Sequence, residues 1–295
     1  MCIIIIVVYN RIISDDSIYA FIYPYLHIYI LGKPINKDIL DGEEKARMNA
    51  KPHVCFYCPN YNNDILKNNN HSQKLYQFYR ILSICHDVIP EKNNCLNSSS
   101  NIIENGDNDN TNNSDHQIKY SASNPDDEAL IYAAKYFGYE FMERHDKKII
   151  IKNLLTTHNE EIIILHTIAF TSKRKRMSVI IKDNDNNIKI LTKGADTIML
   201  PRLGKGQDKL IDITNQHIQD FALEGLRCLV IASCIISNQD YKKWSDSYIK
   251  ATTDLNQIEL MKSGMYNLIE ELEDQIEQNL MLHGATAIED RLQDG

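Results

Sequence analysis

From Lys74 to Glu91 apolar residues return at helical spacing. Leu75, Phe78, Ile81, Leu82 and Cys85 share one face, and Pro90 ends the pattern. A second helix is announced by "SNPDDEALIYAAKYFGYEF", which begins at Ser123. Asn124 is placed to cap it, Pro125 suits the first helical position, Asp126 and Asp127 complement the positive end, and Gly138 closes it. Strand-like runs then follow in quick succession: Tyr139–Glu143, Lys148–Lys152, Glu161–Phe170, Met177–Lys182 and Ile188–Thr192. Asp146 and the stretch Asp183–Asn187 supply turns between them. The pattern predicts a meander of antiparallel strands.

Further on, a helix is expected near Gln207–Leu223, with Leu210, Ile213, Ile218 and Phe221 inward. "RCLVIASCII", Arg227–Ile236, reads as a buried strand, and Asp240–Thr252 as a helix. Ile258, Met261, Met265, Leu268, Leu272, Ile276 and Leu280 keep a regular three-four spacing that predicts one longer helix. No repeat is apparent. The fold class is α+β, an antiparallel sheet flanked by helices.

Two regions fall outside this pattern. Lys92–Gln117 is dominated by Asn, Asp and Ser, has almost nothing to bury, and is expected to be a disordered insert. The N-terminal residues 1–51 form an apolar, irregular extension of unassigned role. Its run "SIYAFIYPYLHIYIL" is roughly 15 residues long and broken by Pro24, short of the about 20 that a spanning helix needs. No basic leader or small-residue cleavage site is evident, and a membrane anchor is the alternative reading.

Composition narrows the function. The chain of 295 residues is 43% hydrophobic and 24% charged, as expected of a globular protein, with formal net charge −8. That balance excludes a general nucleic-acid binder, which needs net positive charge. Seven cysteines, an odd number without a disulfide-like pattern, point to a reducing compartment.

Against this acidic background "FTSKRKRMSVIIKD" concentrates Lys173, Arg174, Lys175 and Arg176 just after Phe170. Phe170 falls at a strand end, where a ring can face a flat partner. In "TKGAD", Lys193 stands beside Gly194, whose missing Cβ would admit a ligand to the backbone. In "EGLRCL", Arg227 follows a helix end and offers a planar fork for phosphate oxygens. Asp127 or Glu128 could accept a hydrogen bond from an exocyclic amine. Together these residues sketch a purine slot. Bland readings stand beside it: a core aromatic, a solvated or nuclear-localisation basic run, and a helix-capping Asp127. Strand alternation aims Arg174 and Arg176 one way and Lys173 and Lys175 the other. Cys55 and Cys58 with Cys85 and His86 suggest zinc, but adjacent Cys85 and His86 are poorly placed to share a metal.

The chain resembles the nucleotide-binding domain of the P4-type P-type ATPases, the phospholipid flippases. "CHDVIPE", "SNPDDEALIYAA", "FTSKRKRMSVI", "TKGADTIM", "FALEGLRCLVIA" and "NLMLHGATAIEDRLQDG" carry the resemblance in family order, from roughly Phe56 to Gly295. It implies that Phe170 stacks on adenine, that Lys193 shares its pocket and that Arg227 reaches toward the phosphates. The family has Glu where this chain has Asp127, with Glu128 next; Ser172 and Arg174 are further candidates at the start of the strand. The Asp-Lys-Thr-Gly-Thr motif of the phosphorylated aspartate is absent, as are the actuator loop and the membrane helices. The resemblance therefore implies a fragment that binds ATP but has no catalytic residue, within an enzyme that as a whole is an ATP-driven phospholipid translocase. Residues 52–278 would be the nucleotide-binding domain and 279–295 the start of the α/β phosphorylation domain. Mg²⁺ sites would lie outside this chain. Its partners would be ATP and the phosphorylation, actuator and transmembrane domains, with an accessory subunit left open. The full-length protein would sit in a membrane, with this domain on the cytosolic side. The alternative is a non-catalytic interaction module, basic-patch or zinc-dependent, derived from the same fold.

Overall fold

The computed structural model describes residues 7–9, 18–20, 70–91, 118–223 and 225–288. The insert at 92–117, Cys55, Cys58 and nearly all of 1–51 lie outside the described residues, which near the N-terminus include only a short antiparallel pair, Val7–Tyr9 with Ile18–Ala20.

Helix α1 (Asn70–Leu82) leads into β1 (Ile89–Glu91), which pairs with β2 (Lys119–Ser121). Helix α2 (Pro125–Tyr136) starts as the sequence indicates: the Asn124 side chain accepts the Asp126 N–H, and Pro125 occupies the first turn. Gly138, at φ +111°, turns the chain into the sheet. Strands β3 (Tyr139–His145), β4 (Lys148–Asn153), β5 (His158–Ile168), β6 (Arg176–Lys182) and β7 (Ile188–Ala195) form the antiparallel meander. A short helix α3 (Asp196–Met199), a 3₁₀ turn and α4 (Asp208–Leu223) then lead to β8 (Arg227–Ile236). Helices α5 (Asn238–Thr253), α6 (Leu255–Lys262) and α7 (Leu268–Ile276) precede β9 (Met281–Ile288). The seven-stranded sheet runs β9-β8-β7-β6-β5-β4-β3, every neighbour antiparallel. No helix of the described residues is long and apolar enough to cross a membrane.

Both faces of the sheet are covered, so both sets of alternating side chains are buried. On one face Phe141, Ile149, Ile151, Met177, Val179, Leu191 and Ile231 pack with Phe78, Tyr79 and Leu82 of α1 and Leu130 and Ile131 of α2. On the other, Ile180, Ile190, Val230 and Ala285 pack with Ile218 of α4, Trp244 of α5, and Ile269 and Leu272 of α7. Each such fully buried large side chain contributes about 1.5–3 kcal/mol.

Two expectations are corrected. The long helix from Ile258 to Leu280 is two helices, separated by Gly264 at φ +71°. A three-four apolar spacing passes through such a break unchanged, because it records which side is buried and not whether the backbone is continuous. Met281–Ile288 pairs along β8 as an edge strand of the sheet. In α4 the inward stripe holds Thr214, His217, Ile218 and Phe221, with Ile213 only partly covered.

Candidate functional site

Where β7 ends and β6 and β8 begin, a cleft of about 470 Å³ opens on the α1–α2 face. Period-two alternation decides which side chains reach it. Met177 lies opposite Lys193, and Ile231 is the cross-strand partner of Lys193 on its other side. All three point to the same face, with Arg227 two pairs before Ile231 on β8. The N-terminus of α2 forms one wall. Phe170, two residues beyond β5 and 52% exposed, forms another.

Two cations of the cleft are already paired. Lys193 Nζ lies 2.5 Å from Asp127 Oδ1, both side chains being buried. Asp127 Oδ2 also accepts the Asp87 N–H at 3.4 Å. Arg227 Nη2 donates to Asp126 Oδ1 at 2.8 Å, with its side chain about half exposed. The first-turn carboxylates of α2, read in sequence only as dipole partners or a nucleotide contact, therefore set the positions of both cations. Incoming oxygens would meet a lysine and an arginine held in place by neighbouring carboxylates.

Phe170, Lys193, Arg227 and Asp127 thus converge on one cleft. Glu128, Ser172 and Arg174 do not line it. Glu128 is partly buried elsewhere on α2, and Ser172 is exposed on the β5–β6 turn. Arg174 is buried on the opposite side of the sheet against Glu273 and Glu277, with Arg176 beside it, as alternation required. Of the four consecutive cations only Lys175 lines the cleft; Lys173 pairs with Glu270 at 2.6 Å. The reading of Gly194 changes too. A Cβ there would lie 2.5 Å from Arg176 Cβ and 2.9 Å from the Lys175 carbonyl, so glycine is required by the close approach of β6. Lys175, Met177, Asp126 and Asp87 also line it. The basic run signalled Lys175, but nothing local distinguished it from its neighbours.

The remaining polar neighbours are neutral and occupied. Burial pushes the Cys228 thiol up to about 12, so it lines the cleft uncharged. Cys85 is likewise pushed to about 12 by burial, and its thiol faces the carbonyls of Met177 and Leu191. His86 donates from Nε2 to the Ser83 carbonyl at 2.9 Å and accepts the Val88 N–H at Nδ1 at 3.1 Å. Burial, with Arg144 and Lys193 nearby, holds it well below the usual imidazole range. Cys85 and His86 are therefore engaged within the core. Among the described residues no three His, Cys, Asp or Glu side chains cluster as metal ligands.

The family model described as "P-type ATPase, cytoplasmic domain N" matches residues 74–295. Similar proteins include phospholipid-transporting ATPase C4F10.16c of Schizosaccharomyces pombe, 32% identical over 243 residues, or 82% of this chain and 16% of that protein. Phospholipid-transporting ATPase DRS2 of Saccharomyces cerevisiae is 36% identical over 218 residues, 74% of this chain and 14% of its own. Human phospholipid-transporting ATPase ID is 33% identical over 220 residues, 75% and 16% respectively. The chain thus spans about a sixth of the length of the relatives it matches. With its helix-flanked antiparallel sheet and a match over most of its length, the chain belongs to the P-type ATPase family and carries that family's cytoplasmic domain N.

Proposed function

We propose that the cleft binds ATP and that this domain serves an ATP-driven phospholipid translocase. The observation that carries the reading is the meeting of an exposed ring, Phe170, with Lys193, Lys175 and Arg227 around one opening. Phe170 offers a face for adenine, and the cations lie within the same cleft to balance the phosphates. The residues fit such a ligand by chemistry as well as volume: one wall is apolar (Met177, Leu229), the other polar.

The paired cations shape the energetics. Because Lys193 and Arg227 already hold Asp127 and Asp126, a nucleotide replaces existing interactions at these two cations. One stack and a few exchanged polar contacts suit a Kd of roughly 0.1–1 mM. The chain's own residues bind and orient the nucleotide, while an aspartate and Mg²⁺ ligands outside it would serve phosphoryl transfer. Phospholipid as the transported substrate is supported by the names of the relatives. On this reading the domain works on the cytosolic side of a membrane, with phosphorylation, actuator and transmembrane domains as partners.

Titration of the ¹⁵N-labelled chain with ATP and with GTP tests the binding claim. Shifts at Lys193, Lys175 and Arg227 that saturate with ATP, and that weaken in Phe170→Ala, are the expected result. Silence at millimolar ATP would return the interaction-module alternative.

A further inference from the structure

On the opposite side of the sheet from the cleft lies an ionic cluster, none of whose side chains lines the cleft. Glu277, one residue beyond α7, is 0% exposed. Its Oε2 accepts Arg176 Nε at 2.5 Å, and its Oε1 accepts Ser178 Oγ at 2.5 Å and Arg174 Nη2. Arg176 also reaches Asp274 at 2.9 Å, and Arg174 Nε lies 3.2 Å from Glu273. Ser178 meets Thr192 of β7 at 2.9 Å. A buried carboxylate is costly without such partners, and apolar residues would fill the volume more cheaply.

The geometry shows where this cluster leads. The second arm of Arg174, Nη1, donates to the carbonyl of Ala169 at 2.9 Å, the residue just before Phe170. The Arg174 N–H donates to Thr171 Oγ1 at 3.1 Å, and the Lys175 N–H to the Thr171 carbonyl at 2.7 Å. Lys175 adopts φ +51°, a strained setting that the surrounding bonds must hold. One guanidinium therefore bridges a buried carboxylate and the backbone that presents the ring.

We propose that Glu277 and Arg174 are positioning residues for the nucleotide: they clamp the 169–175 turn so that Phe170 stands over the cleft before any ligand arrives. The proposal rests on the ATP reading above. Pre-organising an otherwise solvated ring removes an ordering cost from binding.

The full chain is compared as wild type, Arg174→Lys, Glu277→Gln, Phe170→Ala and Trp244→Phe. Trp244 holds the same helix α7 through the Leu272 carbonyl at 2.8 Å but does not touch the cluster. Three readouts are taken: ATP affinity, the ring-current shift of bound adenine H2 and H8 at saturation, and amide exchange of Arg174 and Lys175 without nucleotide. Arg174→Lys and Glu277→Gln should lower affinity about fivefold, shrink the adenine shift and speed exchange. Trp244→Phe should lower Tm while leaving affinity and shift unchanged. Wild-type affinity and adenine shift in folded Arg174→Lys would overturn the proposal, as would an equal loss in Trp244→Phe. If the wild type binds no ATP while exchange at Lys175 still depends on Glu277, the ATP reading falls and the clamp is purely architectural.

Discussion

The two faces of β6 and β7 carry oppositely managed charge. On the α1–α2 face Lys193 meets one carboxylate, and Arg227 meets another while staying about half exposed; both line an open cleft. On the α5–α7 face Arg174 and Arg176 are sealed beneath α7 by Glu273, Asp274 and Glu277, with hydroxyl support from Ser178. In one short motif Lys175 lines the cleft while Arg174 and Arg176, one position to either side, are buried on the other face. Of the two cleft pairs only that of Arg227 keeps access to solvent; the Lys193–Asp127 pair is as buried as Arg174. An ion pair that holds a backbone turn in place gains by losing that access, because the penalty for breaking it rises.

The largest effect should come from the sealed face. Glu277→Ala removes the buried carboxylate that two guanidinium groups share and should cost about 3–5 kcal/mol of unfolding free energy in a urea titration. A loss near that of a surface substitution would erase the contrast between the faces. Next, acid should act on the opposite side. Burial, with Lys74 and Lys189 nearby, lowers the His283 imidazole to about 4, while its ring meets Ser233 Oγ at 2.7 Å. His86, between Arg144 and Lys193, is lowered as well. The unfolded chain takes up these protons below its ordinary value of about 6.5 and the folded chain resists, so stability falls as pH falls. His283 alone should remove about 2 kcal/mol between pH 6.5 and 5. His283→Gln should flatten that slope in thermal melts taken across the window.

At the cleft itself, Phe170→Ala should weaken ATP by about 1–2 kcal/mol, roughly tenfold. Its Tm should hardly move, because half of the ring is already in water. Loss of stability without loss of affinity would make Phe170 a packing residue. Smallest of all, Arg227→Ala should alter stability by less than about 1 kcal/mol, as expected of a partly exposed pair. Isothermal titration should show a few-fold weaker ATP response that fades further as salt is raised.

Much of the architecture was legible before any coordinates. The Asn124–Pro125 start of α2 follows from local chemistry, and β8 matches its apolar run from Arg227 to Ile236. The meander follows from period-two runs separated by turn residues. Phe170, Lys193, Arg227 and Asp127 could be named as site candidates from residue type and motif. The readings that failed did so for different reasons. The α6–α7 break is local, a glycine at φ +71° that the apolar spacing passes over, whereas the role of Gly194 depends on β6, a neighbour across the sheet.

The linear chain therefore determined the elements, because capping, alternation and turn preference act over a few residues. It also named Phe170, Lys193, Arg227 and Asp127, which the cleft brings together, beside Glu128, Ser172 and Arg174, which it does not. Only the folded sheet decided how the cationic run was divided. Alternation sends Arg174 and Arg176 one way, but the acid that receives both arrives about a hundred residues later, just past the end of α7. The carboxylates that hold Lys193 and Arg227 come from the start of α2, far upstream. Charge partners that meet across a sheet are set by strand order and register, which local residue patterns do not encode.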